Sequence, residues 1–289
     1  MRREKMWEGS FKMALTISEK CRNIHPSVTL AIDARAKQLR AMGLDVIGFG
    51  AGEPDFDTPR YIKSAARDAL DAGMTKYTPV AGTVELRTEI QQKLLRDNGL
   101  DYELADIIVS SGAKQCLFNA LSAILDPGDE VLVFSPYFPM YREQIELAGG
   151  VCVEVPTYAS EGFAIKKERL EAAITPRTKA MIFNNPTNPT AMAYGTDTMR
   201  LLAETAKEHD LLIIADEIYT SYMFSEPFTP MRTLLDMAER TVTLNSFSKN
   251  YLMTGWRVGT IIAEPALIKT MQRINGALIY TAPSVSQRV

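Results

Sequence analysis

Seven short runs of consecutive apolar residues recur along this chain, and most are separated by stretches with helical spacing. They occupy residues 106–111 (DIIVSS), 130–136 (EVLVFSP), 151–156 (VCVEVP), 179–186 (KAMIFNNP), 211–217 (LLIIADE), 241–247 (TVTLNSF) and 258–264 (VGTIIAE). Strict alternation would mark strands with one wet face. Unbroken apolarity predicts strands covered on both faces. Between them, residues 113–125 (AKQCLFNALSAIL) place Leu117, Leu121 and Ile124 on one helical face. Residues 196–210 (TDTMRLLAETAKEHD) form a second amphipathic stretch that ends in a charged turn. Strands alternating with helices predict an α/β fold, a mostly parallel sheet flanked by helices on both sides.

The polar residues cluster where these runs end: Ser110-Ser111-Gly112, Asn184-Asn185, Asp216-Glu217 and Asn245-Ser246. In open α/β sheets the ligand lies outside the carboxyl ends of the strands. Four such ends predict a site there.

Composition narrows its chemistry. The 289 residues can bury a sizeable core in one or two domains. A net charge of −3 offers no basic footprint for nucleic acid or an anionic membrane. Cys21, Cys116 and Cys152 form no C-x-x-C pair, so neither a disulfide framework nor a zinc site is expected. His25 and His209 are the only histidines and read as structural or surface residues, so no metal centre is expected. The N-terminus lacks the apolar core of a secretory signal, and no stretch approaches the roughly 20 apolar residues of a membrane span. The expected location is cytoplasmic.

Three constellations compete. Ser246–Lys249 and Ser111–Lys114 both match S-x-x-K, but the chain contains no K-T-G element for a penicillin-binding reading. Gly48-Phe49-Gly50-Ala51-Gly52 lacks the G-x-G-x-x-G spacing and runs into the proline-bearing EPDFDTP, so it reads as a glycine-rich turn. Pyridoxal phosphate explains more. That cofactor needs an amine, a carboxylate beside its pyridinium nitrogen, a phosphate cup and a planar group on its ring. Lys249 supplies the amine, Asp216 the carboxylate, and Tyr219 a partner for the phenolic oxygen. Ser111-Gly112-Ala113, between a strand and a helix, offers backbone N–H groups to the phosphate, with Ser246 and Arg257 completing the cup.

Five motifs then stand in one order: AGEPDFDTP (51–59), KYTPVAGTVELR (76–87), NPT (188–190), IADEIY (214–219) and SFSKNYLMTGWRVG (246–259). With them the chain, from about Ile24 to its last residue, resembles the class I pyridoxal-phosphate-dependent aminotransferases, specifically the bacterial aspartate/prephenate subgroup. The resemblance implies Lys249 as the Schiff-base lysine and proton shuttle, Asp216 at the pyridine nitrogen, and Tyr219 and Asn188 at the phenolic oxygen. It implies Gly112, Ala113, Ser246 and Arg257 around the phosphate and Phe138 stacked on the ring. Gly52 would face the substrate carboxylate. Lys114 would meet the distal carboxylate of an acidic donor such as aspartate or glutamate. Tyr77 would reach the phosphate of a neighbouring subunit, which implies a homodimer with shared active sites. Glu217 reads as a salt-bridge or helix-start residue.

The implied organisation is an aspartate-aminotransferase-like large domain with an incomplete small domain. Residues 1–23 would be an N-terminal extension, 24–60 an arm with part of the small domain, and 61–289 the cofactor-binding domain. Two departures from the family pattern bear on function. Ala191 follows Asn188-Pro189-Thr190 where the family usually has glycine, and a positive φ there would strain alanine. The chain also stops at Val289, where the family continues into the segment that supplies an arginine for the substrate α-carboxylate; nothing places Arg35, Arg273 or Arg288 in that role. The expectation is a shortened aminotransferase with a complete cofactor site and a half-built substrate site. The alternatives are a carbon–sulfur lyase of the same fold and a cofactor-binding protein without turnover.

Overall fold

A computed structural model of the chain describes residues 18–22, 24–50, 52–224, 227–234 and 236–288. Most of the expected N-terminal extension, residues 1–17 and 23, lies outside the described residues. All seven apolar runs are strands: β1 (Ile107–Ser110), β2 (Glu130–Ser135), β3 (Val151–Pro156), β4 (Thr178–Asn184), β5 (Leu212–Asp216), β6 (Thr241–Ser246) and β7 (Gly259–Ile262). They join one sheet in the order β1-β7-β6-β5-β4-β2-β3. Its pairings are parallel except those of β7, which runs antiparallel to β1 and β6.

Helices α1 (Glu19–Arg22), α2 (Val28–Ala41), α3 (Arg60–Asp71) and α4 (Val84–Asn98) precede the sheet. Between successive strands lie α5 (Gly112–Ile124), α6 (Met140–Leu147), α7 (Lys167–Ala173) and α8 (Thr196–Glu208). A single turn, α9 (Phe247–Asn250), follows β6, and α10 (Pro265–Leu278) follows β7. Among the described residues no helix is long and apolar enough to cross a membrane.

The unbroken apolarity of the strands has a direct cause. Ile108, Val131, Val133, Ile182, Ile214, Leu244 and Ile261 meet Leu117 and Leu121 of α5, Ile145 of α6 and Met271 of α10. The interleaved Leu132, Phe134, Met181, Phe183, Ile213 and Ala215 pack on the other face against Met199, Leu202 and Ala206 of α8. In the strands other than the edge strand β3, both parities are buried, which favours apolar residues on each. One polar clip crosses the first layer. The amide oxygen of buried Asn275 on α10 accepts from Ser110 Oγ at 2.6 Å and Asn119 Nδ2 at 2.9 Å, while its Nδ2 donates to the Val80 carbonyl at 3.1 Å.

Register decides where the polar strand ends fall. Asn184 pairs with Asp216, Asp216 with Leu244, and Gly259 of β7 lies between Ser246 and Ser110. A one-residue slip would turn Asp216 to the α8 face of the sheet.

Candidate active site

These strand ends open into a cleft of about 580 Å³. Gly52, Ala113, Lys114, Phe138, Asn188, Asp216, Tyr219 and Lys249 all line it, so most of the sequence candidates share one space. Asp216 is its buried floor, at 6 % exposure. Burial pushes its carboxyl up to about 6, opposed by the Tyr141 hydroxyl, which donates to Oδ2 at 2.6 Å, and by the Ile218 N–H. Asn184 fixes the backbone beside it: Nδ2 donates to the Asp216 carbonyl at 2.9 Å and Oδ1 accepts the Asn188 N–H at 2.7 Å. Burial, then the Asp216 charge, raises the Tyr219 phenol, while a hydrogen bond with the Asn188 side chain opposes the rise.

Lys249 occupies α9, where β6 turns back toward β7. The turn is tightly held. Ser246 Oγ accepts the Ser248 N–H at 3.1 Å, and Leu252 and Arg257 both take left-handed backbone at φ 58. Such conformations in non-glycine residues persist where surrounding contacts over-determine them, often at functional sites. Lys249 Nζ donates to the Gly52 carbonyl, Thr254 Oγ1 to Glu53, and Trp256 Nε1 to Thr58 Oγ1 at 3.0 Å. Residues 52–58 are therefore strapped onto the lysine turn. Burial lowers the Lys249 amine; Glu53 opposes the shift and Arg257 adds to it.

The expected phosphate end lies at the N-terminus of α5. Ser111 provides no side-chain cap, which leaves the first-turn N–H groups without that partner. Arg257 lies directly over the entry: a Cβ on Gly112 would sit 2.3 Å from its Nη2, and Gly112 itself has φ 78. A Cβ on Gly259 would come 2.6 Å from the Ala113 nitrogen and the Gly112 carbonyl carbon. Two glycines thus let an arginine and a strand close around one helix terminus. Ser246 is already engaged, donating to the Val258 carbonyl at 3.2 Å. At the other wall, the Lys114 amine lies 6.0 Å from the centre of the Phe138 ring, and burial followed by Arg257 lowers its pKa.

Some expectations fall elsewhere. Tyr77 is 83 % exposed, packs on Tyr280 and is absent from the cleft lining. Arg35, Arg273 and Arg288 do not line the cleft either. Glu217 corrects its reading: it begins no helix, and its buried carboxyl accepts the Met231 N–H at 3.0 Å. Burial drives it up to about 8. His25 and His209 each pair with a glutamate, Glu143 and Glu171, outside the cleft. Tyr141 and Asn184 went unrecognised in the sequence. Asn184 stood among the polar strand ends, whereas Tyr141 carried no signal of its own.

The profile of class I and II aminotransferases matches residues 44–289. The chain is 44% identical over 271 residues to the probable aspartate/prephenate aminotransferase of Thermus aquaticus, covering 94% of this chain and 70% of that protein. It is 42% identical to the aspartate aminotransferase of Geobacillus stearothermophilus, with the same two coverages. The solved structure of the Thermus thermophilus aspartate aminotransferase with maleate superposes with a TM-score of 0.91 at 43% identity, covering 94% of this chain and 71% of that one. The chain therefore belongs to the class I and II aminotransferase family, with the aspartate-aminotransferase-like α/β fold. It is a pyridoxal-phosphate-dependent aminotransferase, catalysing transfer of an amino group from an amino acid to a 2-oxo acid. The cleft suits that cofactor on its own chemistry. Asp216 is a buried carboxylate with no cationic partner among its described contacts, matched to a pyridinium, and the glycine-lined α5 terminus is matched to a phosphate.

Proposed function

We propose that this cleft takes amino groups from an acidic donor, aspartate or glutamate, with Lys249, Asp216 and Tyr219 as its catalytic side chains. The observation that carries the reading is the convergence of Lys249, Asp216 and Lys114 on one cleft. Pyridoxal phosphate, when bound, supplies an electron sink that acidifies the α-C–H bond of the amino acid. Lys249 would anchor it, and its Nζ amine would be the base that takes the α-proton. A lowered pKa leaves more of that amine neutral and able to do so. Asp216 would hold the proton of the ring nitrogen. Asn188 and Tyr219 would meet the phenolic oxygen, Phe138 would cover the ring, and Gly112, Ala113, Ser246 and Arg257 would hold the phosphate.

Lys114 gives the donor its class. It is a cation in the cleft, against Phe138 and without an ion-pair partner among the described residues, suited to a distal carboxylate. Gly52 would face the α-carboxylate. The names of the relatives support an acidic donor, as does the dicarboxylate maleate in the Thermus thermophilus structure. We also read the enzyme as a cytoplasmic homodimer in which the exposed Tyr77 serves a neighbouring subunit's site. Residues 24–60 would form the arm with part of a small domain, and 61–289 the cofactor-binding domain.

The test is the visible absorbance spectrum of the protein with pyridoxal phosphate, before and after L-aspartate, beside Lys249→Ala. The reading expects a band that requires Lys249 and changes on adding aspartate. A band that persists in Lys249→Ala removes the anchor. One that responds to neutral but not acidic amino acids removes the donor assignment.

A further inference from the structure

The carboxylate beneath the cleft has one strong donor, and that donor comes from a helix absent from the motifs. Tyr141, in the first turn of α6, is 3 % exposed, and its Oη donates to Asp216 Oδ2 at 2.6 Å. Among the described residues, the other oxygen, Oδ1, receives only the Ile218 N–H at 3.4 Å, near the limit of a hydrogen bond. The phenol ring is clamped. Tyr137 lies nearly parallel to it at 6.4 Å, and Phe138 meets it edge-on at 5.7 Å.

After burial, this bond is the strongest local influence on Asp216. Tyr141 faces it from α6, and Cys116 from α5 is a thiol that burial keeps protonated. From its own loop come Tyr219, whose phenol is raised, and Glu217, whose acid is raised to about 8. From β4 comes the neutral Asn184. None of these is a cation. Burial and the Asp216 charge hold the Tyr141 phenol well above its ordinary range, so it stays a donor throughout the working pH range.

We propose that Tyr141 is a positioning residue: its hydroxyl turns and stabilises the Asp216 carboxylate so that Oδ1 is left to accept from the ring nitrogen of the cofactor. This rests on Asp216 being the pyridine partner. A hydrogen bond to the ionised form favours that form, so removing it moves the protonation of Asp216 to higher pH. The protonated acid cannot balance a pyridinium, and affinity for pyridoxal phosphate must fall along that acid limb.

The experiment measures the dissociation constant of pyridoxal phosphate from pH 5 to 8.5 for the wild type, Tyr141→Phe, Tyr137→Phe and Asp216→Asn. The cofactor's own phosphate titrates near pH 6, so every effect is read as a difference between proteins. In Tyr141→Phe the acid limb is expected to move up by about one pH unit, giving up to about ten-fold weaker binding at pH values within it. Asp216→Asn should lose the part of the limb that Tyr141→Phe moves. Tyr137→Phe removes the hydroxyl bonded to Glu154 and Arg142 on the neighbouring ring without touching the Asp216 carboxylate and should leave the limb in place. An unmoved limb in Tyr141→Phe, an equal loss at every pH, or an equal movement in Tyr137→Phe overturns the proposal. Absence of wild-type binding would instead remove the cofactor reading beneath it.

Discussion

Ala191 carries a strain that one substitution should release. It follows Asn188-Pro189-Thr190 in the loop beneath the cleft and sits at φ 57, in left-handed space. The loop holds it there with two backbone bonds: Ala191 N–H to the Thr187 carbonyl at 2.9 Å, and Thr187 N–H to the Met192 carbonyl at 2.8 Å. For an L-residue this conformation costs about 1–2 kcal/mol, whereas glycine adopts it freely. Glycine in turn loses about 0.5–1 kcal/mol more conformational entropy on folding. The difference favours Ala191→Gly by about 0.5–1 kcal/mol. Thermal melting at one scan rate should show the midpoint rising by about 1–3 °C. Ala193→Gly is the control, since Ala193 is equally exposed, lies two residues on and is not among the left-handed positions. It should be destabilised by the entropy term alone. If both variants lower the midpoint by the same amount, no strain resides at Ala191 and the argument fails.

Three further outcomes follow from the same geometry. Gly259→Ala drives a methyl into the backbone of Gly112 and Ala113; it should cost about 1–3 kcal/mol and weaken pyridoxal phosphate binding at least about ten-fold, read by urea denaturation and calorimetric titration. Asn275→Ala strands Ser110, Asn119 and the Val80 carbonyl inside the core; urea denaturation should report a loss of about 3 kcal/mol or more. Glu217 has a folded-state pKa raised from 4.5 to about 8, so its contribution is fully present below pH 4.5 and is lost as pH rises through 8. Glu217→Gln should remove that decline, and its stability difference from the wild type should change by up to about 1.4 kcal/mol per pH unit between those limits. A difference that stays constant with pH would mean that Glu217 is not buried as an acid.

Much of this protein was legible along the chain, because local rules suffice for it. Seven apolar runs became seven strands; all but the edge strand β3, which exposes Val151 and Glu154, are buried on both faces, and two-sided burial favours apolar residues at nearly every position. Lys249, Asp216 and Gly112 stood out because their chemistry is tied to a turn, a strand end and a helix start, all written in neighbouring residues. Ala191 was flagged on the same ground, and its left-handed backbone bears the expectation out. What remained hidden depends on partners far apart in sequence. Tyr141 matters because register brings Asp216, 75 residues away, beneath α6, and a lone tyrosine in a helix announces nothing. The run from Gly48 to Gly52 reads as a glycine-rich turn, and nothing along the chain announces that Lys249, 197 residues on, donates to the Gly52 carbonyl. Glu217 passes for a salt-bridge or helix-start residue until packing removes its water. A titration shift or a long-range hydrogen bond is a property of an assembled environment, and only the folded chain creates one.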